Sequence, residues 1–302
     1  MWPSCLQRNI DITSLSNFKT KATTSYYFEI NSRQDIDKIV DIIQFIKDKY
    51  WNIKNKILFI WAGTNMLFAF DNFDGVIIKN NLSWWSYDEN SKILEAYSNE
   101  LISDIAESLE KDFNQDLWHR FIGLPWSVWW AVYWNAWCFW LEAENNFLKA
   151  EVLDIESGQV SILYKKDMNF SYRNSILKEK QNKKFLIKAY FDLSKKIEKY
   201  HSDVDNIEFR EKKQPSWYTC GSFFKNPSRE KSAWYLIEQV WLKWHKVWWA
   251  YFSDKHANFL MSDWTATYKD LIKLIRLAQR KVKNHFWIDL ENEVRIIVNS
   301  NS

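Results

Sequence analysis

Glycine is what this chain lacks most. It has five in 302 residues, where an average protein is about 7% glycine. Tight turns and left-handed backbone positions are glycine's ordinary work, so something else must stand in most of them. The three cysteines, Cys5, Cys138 and Cys220, are odd in number and have no metal-type spacing. That excludes a disulfide framework and fits a reducing compartment. The five histidines form no pair at i, i+4, so no metal is expected. The opening MWPSCLQRNID has no apolar signal core. The net charge of +3, mixed in sign along the chain, gives no reason to expect nucleic acid or a membrane surface as partner. The expectation is a cytoplasmic monomer, long enough for two domains.

Tryptophan is there in excess, with 20 copies. Adding 20 and 5 gives 25, or roughly 8% of the chain, an ordinary share for glycine and tryptophan together. Pairs stand at Trp84-Trp85, Trp129-Trp130 and Trp248-Trp249. Others follow Pro125 or precede Thr265. These are turn and close-approach contexts. The expectation is that most of the 20 are glycines, written as tryptophan because a UGA codon was translated under the wrong genetic code.

The stretch Phe121–Trp140, FIGLPWSVWWAVYWNAWCFW, decides how the rest is understood. Taken literally it has the length and apolarity of a membrane span. With glycine at each tryptophan it holds seven glycines in 20 residues, which at about 1 kcal/mol each no spanning helix would tolerate. It becomes a loop that brings backbone N–H groups against a phosphate.

Periodicity organises the remainder. Residues 23–31 alternate as a strand, and Ile36, Ile39, Val40, Ile43 and Ile46 give residues 32–49 a helical face. A strand over 56–60 runs into WAGTNMLF, short strands continue to Tyr97, and a helix covers 98–112. Strands are expected in 151–164 and 184–193, and the lysine-rich run 178–184 is expected to be a solvated face. From Ser194 a charged helix runs to Pro215, where proline stops it. Helices over 231–240 and 268–285 and a strand over 294–298 close the chain. A domain boundary is placed at 200, with a split near 70 inside the first domain, giving domains 1–200 and 201–302.

Several separated motifs resemble one family, the UDP-N-acetylenolpyruvoylglucosamine reductases (MurB). With tryptophan taken as glycine, Trp61-Ala62-Gly63-Thr64-Asn65-Met66-Leu67 resembles the family's GxG(S/T)NxL turn. Gly123-Leu124-Pro125-Trp126-Ser127-Val128-Trp129-Trp130-Ala131, with Asn135-Ala136-Trp137, resembles GIPGTVGGA…NAG. Phe170-Ser171-Tyr172-Arg173-Asn174-Ser175 and Cys220-Gly221-Ser222-Phe223-Phe224-Lys225-Asn226-Pro227 resemble FxYRxS and (A/C)GSFFKNP. Further matches lie at 233–250, at His256-Ala257-Asn258-Phe259 and at Leu290-Glu291-Asn292-Glu293-Val294-Arg295. The short spacing from Arg173 to Lys213 resembles the branch without an extra substrate-covering loop.

The resemblance implies an α+β fold. A vanillyl-alcohol-oxidase-type FAD-binding domain of two subdomains is followed by a C-terminal substrate domain. It implies FAD and NADPH as cofactors and UDP-N-acetylglucosamine enolpyruvate as substrate. Trp61, Ala62, Gly63, Thr64, Asn65, Pro125, Trp126, Ser127, Trp129 and Trp130 would lie on the cofactor. Arg173 would stabilise the developing enol-carboxylate charge, Ser222 would be the general acid, and Glu293 would assist Arg173 from opposite. Tyr172, Lys213, Lys225 and Asn226 would meet the substrate, Lys225 at the diphosphate. Cys220 is discounted as a nucleophile, and His256 is expected to be structural. Two other readings stay open: an oxidase or dehydrogenase of the same flavin-binding superfamily, and a non-enzymatic Trp-rich binding module. Literal indoles at 61, 126, 129 and 130 would fill the pyrophosphate space and force positive φ onto bulky residues.

Overall fold

A computed structural model describes residues 3–51, 56–138, 140–179, 183–194, 215, 218–228, 230–263 and 265–299. In chain order it opens with β1 (Gln7–Asp11), β2 (Thr23–Ile30), α1 (Asp35–Lys49), β3 (Ile57–Ile60), β4 (Met66–Phe68) and β5 (Asn72–Asn80). Next come β6 (Trp85–Asp88), β7 (Ile93–Tyr97), α2 (Ile102–Phe113), α3 (Val128–Tyr133), β8 (Trp137–Cys138) and β9 (Leu141–Glu142). Then follow α4 (Ala143–Asn146), β10 (Phe147–Asp154), β11 (Val160–Tyr164) and β12 (Lys184–Asp192). The chain closes with α5 (Ala233–Gln239), β13 (Lys246–Val247), β14 (Ala250–Phe252), β15 (Leu260–Ser262), α6 (Tyr268–Phe286) and β16 (Arg295–Ile297).

The architecture is α+β, and the chain divides into two compact bodies. The first comprises residues 1–5, 29–51 and 78–207; the second comprises 6–28, 52–77 and 208–302. That differs from the sequence expectation of 1–200 and 201–302. One physical reason is the parallel pairing of β4 with β16, Leu67 against Ile296. It ties the segment after β3 to the far end of the chain, a link that no local pattern announces.

In the first body α1 buries Ile36, Ile39, Ile42, Ile43 and Ile46, a stripe at helical spacing. Asp35 and Asp37 sit in its first turn and Lys47 and Lys49 in its last, each complementing the helix dipole. A five-stranded antiparallel sheet, ordered β11-β10-β12-β7-β6, is the body's framework. Trp118 is almost fully buried here. Its ring meets Phe121 and Phe191 edge-on, at 5.4 and 4.8 Å between centroids. Its indole N–H donates to Asn146 Oδ1 at 3.4 Å.

In the second body α6 carries Leu271, Leu274, Ile275, Ala278 and Val282 on its buried face. They join Phe18, Leu67, Phe223, Phe224, Leu236, Ile237 and Phe252 in one core. Thr267 opens α6 with a capping box: its Oγ1 accepts from Asp270 N, and Asp270 Oδ2 accepts from Thr267 N, which satisfies two otherwise orphaned amides.

The stretch 121–140 is no membrane span. Its helix, α3, is six residues long, and among the described residues no helix is long and apolar enough to cross a membrane. The charged helix expected from Ser194 lies mostly outside the described residues.

The tryptophans separate by environment. Trp140, Trp241, Trp244, Trp248 and Trp287 have φ of +70°, +59°, +64°, +53° and +59°. In that region an L-residue pays roughly 1–2 kcal/mol and glycine pays nothing. All five are exposed, Trp241 at 87%, Trp287 at 84% and Trp248 at 75%. Trp140 meets the ring of Trp137 edge-on at 5.6 Å, but an indole left mostly to solvent in a left-handed turn, as at 241, 248 and 287, does the work of a glycine. Trp118 is the opposite case, a ring whose surface and N–H are both used. The strain expected at 61, 126, 129 and 130 is absent there: none of the four is among the residues with positive φ.

Candidate functional site

In the second body the candidate residues are built around one short extended segment, Ser222–Lys225. Phe223 and Phe224 drive it into the core, at 0% and 1% exposure. On one side Phe223 N donates to Asn258 O at 2.8 Å. Asn258 then acts as a side-chain stand-in for a strand, its Oδ1 accepting from Phe224 N at 3.0 Å and its Nδ2 donating to Phe224 O at 2.8 Å. On the other side Glu293 N donates to Phe223 O at 2.8 Å and Lys225 N donates to Glu291 O at 2.9 Å. The segment therefore brings Ser222 and Glu293, 71 residues apart in sequence, onto two adjacent hydrogen-bonded segments. Both are half-buried.

The turn Trp61–Asn65 reaches the same segment, Glu293–Arg295. Asn65, itself buried, accepts from Arg295 N at 3.2 Å through its carbonyl and donates its Nδ2 to Glu293 O at 3.4 Å. Gly63 has φ +70°, and a Cβ there would stand 1.9 Å from Leu15 O. Only glycine fits. Trp61 is buried at the start of this turn, its ring 6.3 Å from that of Phe59.

Lys225 Nζ pairs with Glu291 Oε2 at 2.8 Å, so its charge is partly answered within the chain. Asn226 is exposed and its Oδ1 accepts from Ala233 N at 3.0 Å, serving the start of α5. Lys213 lies outside the described residues. Cys220 is buried against Met66 O at 3.6 Å, and burial pushes its thiol up to about 12. A thiol so reluctant to ionise is no nucleophile.

In the first body Ser127 caps α3, its Oγ accepting from Trp130 N at 3.3 Å. Val128 N donates to Glu100 O at 2.7 Å and Trp129 N to Ser98 O at 2.8 Å. These amides are spent inside the fold, so the phosphate-facing amides expected of this stretch are not those of 128–130. Trp129 and Trp130 are buried, and both pack on Tyr133 at 5.2 Å between centroids. Arg173 lies in a tight turn at φ +55°. Its guanidinium carbon stands 5.1 Å from the ring centroid of Trp126 and 5.9 Å from that of Tyr172. Tyr172 is exposed.

A flavin dinucleotide needs close backbone approach and room for its pyrophosphate. The Gly63 turn supplies the first. The indoles of Trp61, Trp129 and Trp130 take up space that glycine would leave open. In each body taken by itself, glycine at these positions fits the close approach of such a group, and tryptophan crowds it. Lys178 is a residue the sequence did not flag. It was expected on a solvated face, yet it is half-buried and its Nζ donates to Arg173 O at 2.7 Å.

Comparison with known proteins bears on the whole chain. A family model described as UDP-N-acetylenolpyruvoylglucosamine reductase, C-terminal domain, matches residues 213–297. A protein of that name from Caldicellulosiruptor saccharolyticus is 35% identical over 275 residues, covering 87% of this chain and 84% of the relative. One from Bacillus pumilus is 30% identical over 271 residues, covering 88% of each. Among solved structures, the reductase of Thermus caldophilus superposes with a TM-score of 0.74 at 18% identity, over 97% of this chain and 100% of that one.

Proposed function

The chain belongs to the UDP-N-acetylenolpyruvoylglucosamine reductase family and is an oxidoreductase of peptidoglycan precursor synthesis; we propose that it uses NADPH and FAD, with Arg173, Ser222 and Glu293 as its catalytic groups. The reaction reduces the enolpyruvyl double bond of UDP-N-acetylglucosamine enolpyruvate to give UDP-N-acetylmuramate. NADPH gives up a hydride and solvent a proton, so the product gains two hydrogens and NADP⁺ is released.

Bound FAD would be held by the turn Trp61–Asn65 and by the stretch Pro125–Trp130, with glycine at the tryptophan positions. It supplies hydride chemistry that side chains cannot. The chain's own residues manage charge and protons. Addition of hydride at the methylene carbon leaves negative charge on the enol-carboxylate. Arg173 would take that carboxylate in its planar fork, a bidentate grip that lysine cannot make. A fixed cation is worth most where water is excluded. Ser222 Oγ would hand a proton to the substituted carbon, a step needing a neighbour that stabilises the alkoxide left behind. Glu293 would assist the enol, and Tyr172, Lys213, Lys225 and Asn226 would meet the nucleotide sugar.

One observation supports this reading most: the bond from Glu293 N to Phe223 O, which joins the two segments that carry the proposed proton-handling side chains, both within the region the family model matches. The test is NADPH oxidation by the glycine-bearing chain, with and without the enolpyruvyl sugar. Oxidation should be rapid only with the sugar, and Ser222→Ala should slow it at least 100-fold, the lower range for general acid catalysis. A yellow protein indifferent to the sugar would overturn the substrate assignment, and an unimpaired Ser222→Ala would overturn the proton donor.

A further inference from the structure

Arg173 occupies the left-handed region at φ +55°, where a long side chain stays only if its surroundings hold it. The turn is closed locally: Ser171 N donates to Asn174 O at 3.2 Å and Asn174 N to Ser171 O at 3.0 Å. Three side chains then fasten it to the rest of the first body. Lys178 Nζ donates to the carbonyl of Arg173 itself at 2.7 Å. Ser175, fully buried, donates its Oγ to Tyr133 O at 2.8 Å. Asn135, also fully buried, donates its Nδ2 to Ser171 O at 3.3 Å and accepts at Oδ1 from Glu144 N at 3.0 Å.

We propose that Lys178 is a positioning residue for Arg173, with Ser175 and Asn135 anchoring the turn that Lys178 locks. This rests on the assignment of Arg173 to the substrate carboxylate. A charge-assisted bond is among the stronger hydrogen bonds a backbone carbonyl can accept. It fixes the direction of that carbonyl and so the peptide plane that follows Arg173. Released from it, the residue can relax toward the right-handed region, which swings the Cα–Cβ bond and carries the guanidinium away from its setting. Lys178 touches no reacting atom in this scheme; it acts through backbone geometry alone.

The test is a pair of binding titrations on the glycine-bearing chain with FAD bound. UDP-N-acetylmuramate carries the carboxylate and UDP-N-acetylglucosamine does not, so the ratio of their affinities isolates the carboxylate's share. Lys178→Met should lower that ratio about tenfold, leave the carboxylate-free sugar within about twofold, and be rescued by Lys178→Arg. Arg173→Ala should abolish the preference. A Lys178→Met ratio that is unchanged while Arg173→Ala collapses it overturns the positioning role alone. Equal weakening toward both ligands overturns it too, because that is general loosening. An unchanged ratio in Arg173→Ala removes the premise and the inference together.

Discussion

At the scale of the residue, His256 shows how much a single side chain's surroundings decide. Its ring lies 4.7 Å from that of Phe259 and 6.3 Å from that of Trp234. Its Nδ1 accepts from Asn258 N at 3.3 Å, which only the neutral tautomer can do. Burial pulls it from 6.5 down to about 4, against the smaller raising effect of Glu238 and alongside the lowering effect of Lys243. The unfolded chain binds the proton first, so the contribution of neutral His256 is complete above about pH 6.5. It is lost as pH falls toward 4 and is constant below that. The most this can amount to is about 3 kcal/mol. His256→Gln should flatten the difference in stability between pH 7 and pH 4.5, followed by urea unfolding. An unaltered pH dependence would show that His256 titrates normally. The same residue guards Asn258, whose amide clamps the Ser222 segment, so the structural role expected of His256 has a concrete meaning.

At the scale of the element, helix ends carry the clearest record of what the chain requires. α6 closes on Trp287, at φ +59° and with its N–H bonded to Lys283 O at 2.9 Å. That is the left-handed cap at which glycine is the usual residue. Trp287→Gly should stabilise the protein by about 1 kcal/mol, the cost of holding an L-residue there, and raise the urea midpoint. A loss of stability would count against glycine as the proper residue at this position. Elements of this kind were legible in the sequence because their signals are local. The isoleucine stripe of α1, the apolar periodicity of 268–285 and the alternation of 23–30 each lie within a few turns or residues of one another. The helix α3 inside 121–140 was missed because glycine at two of its own residues, Trp129 and Trp130, argues against any helix. Lys178 was missed for a different reason: a lysine beside other lysines resembles a solvated face, and its acceptor is a carbonyl five residues back whose direction depends on a left-handed turn.

For the molecule as a whole, the sequence carried the α+β class and the family because both rest on ordered motifs along the chain. It carried an expectation of two domains but not the discontinuous bounds of the two bodies, because β4 pairs with β16 across more than 200 residues. The candidate site was legible as residue types but not as an arrangement. Nothing local says that Glu293 stands beside the Ser222 segment, or that Asn226 is occupied with Ala233. The tryptophans bind these scales together. Single residues in left-handed turns, a helix cap and the crowded turn at 61–65 all become ordinary when they are glycine, while Trp118 remains a tryptophan on every physical ground.

The most direct measurement is a side-by-side purification of the chain as written and the chain with glycine at every tryptophan position except 118, each titrated with FAD. The glycine-bearing chain should bind flavin and oxidise NADPH only when the enolpyruvyl sugar is present, and the chain as written should stay colourless. Equal flavin binding by the two forms would contradict the account, because indoles at 61, 129 and 130 would then leave the cofactor all the room it needs.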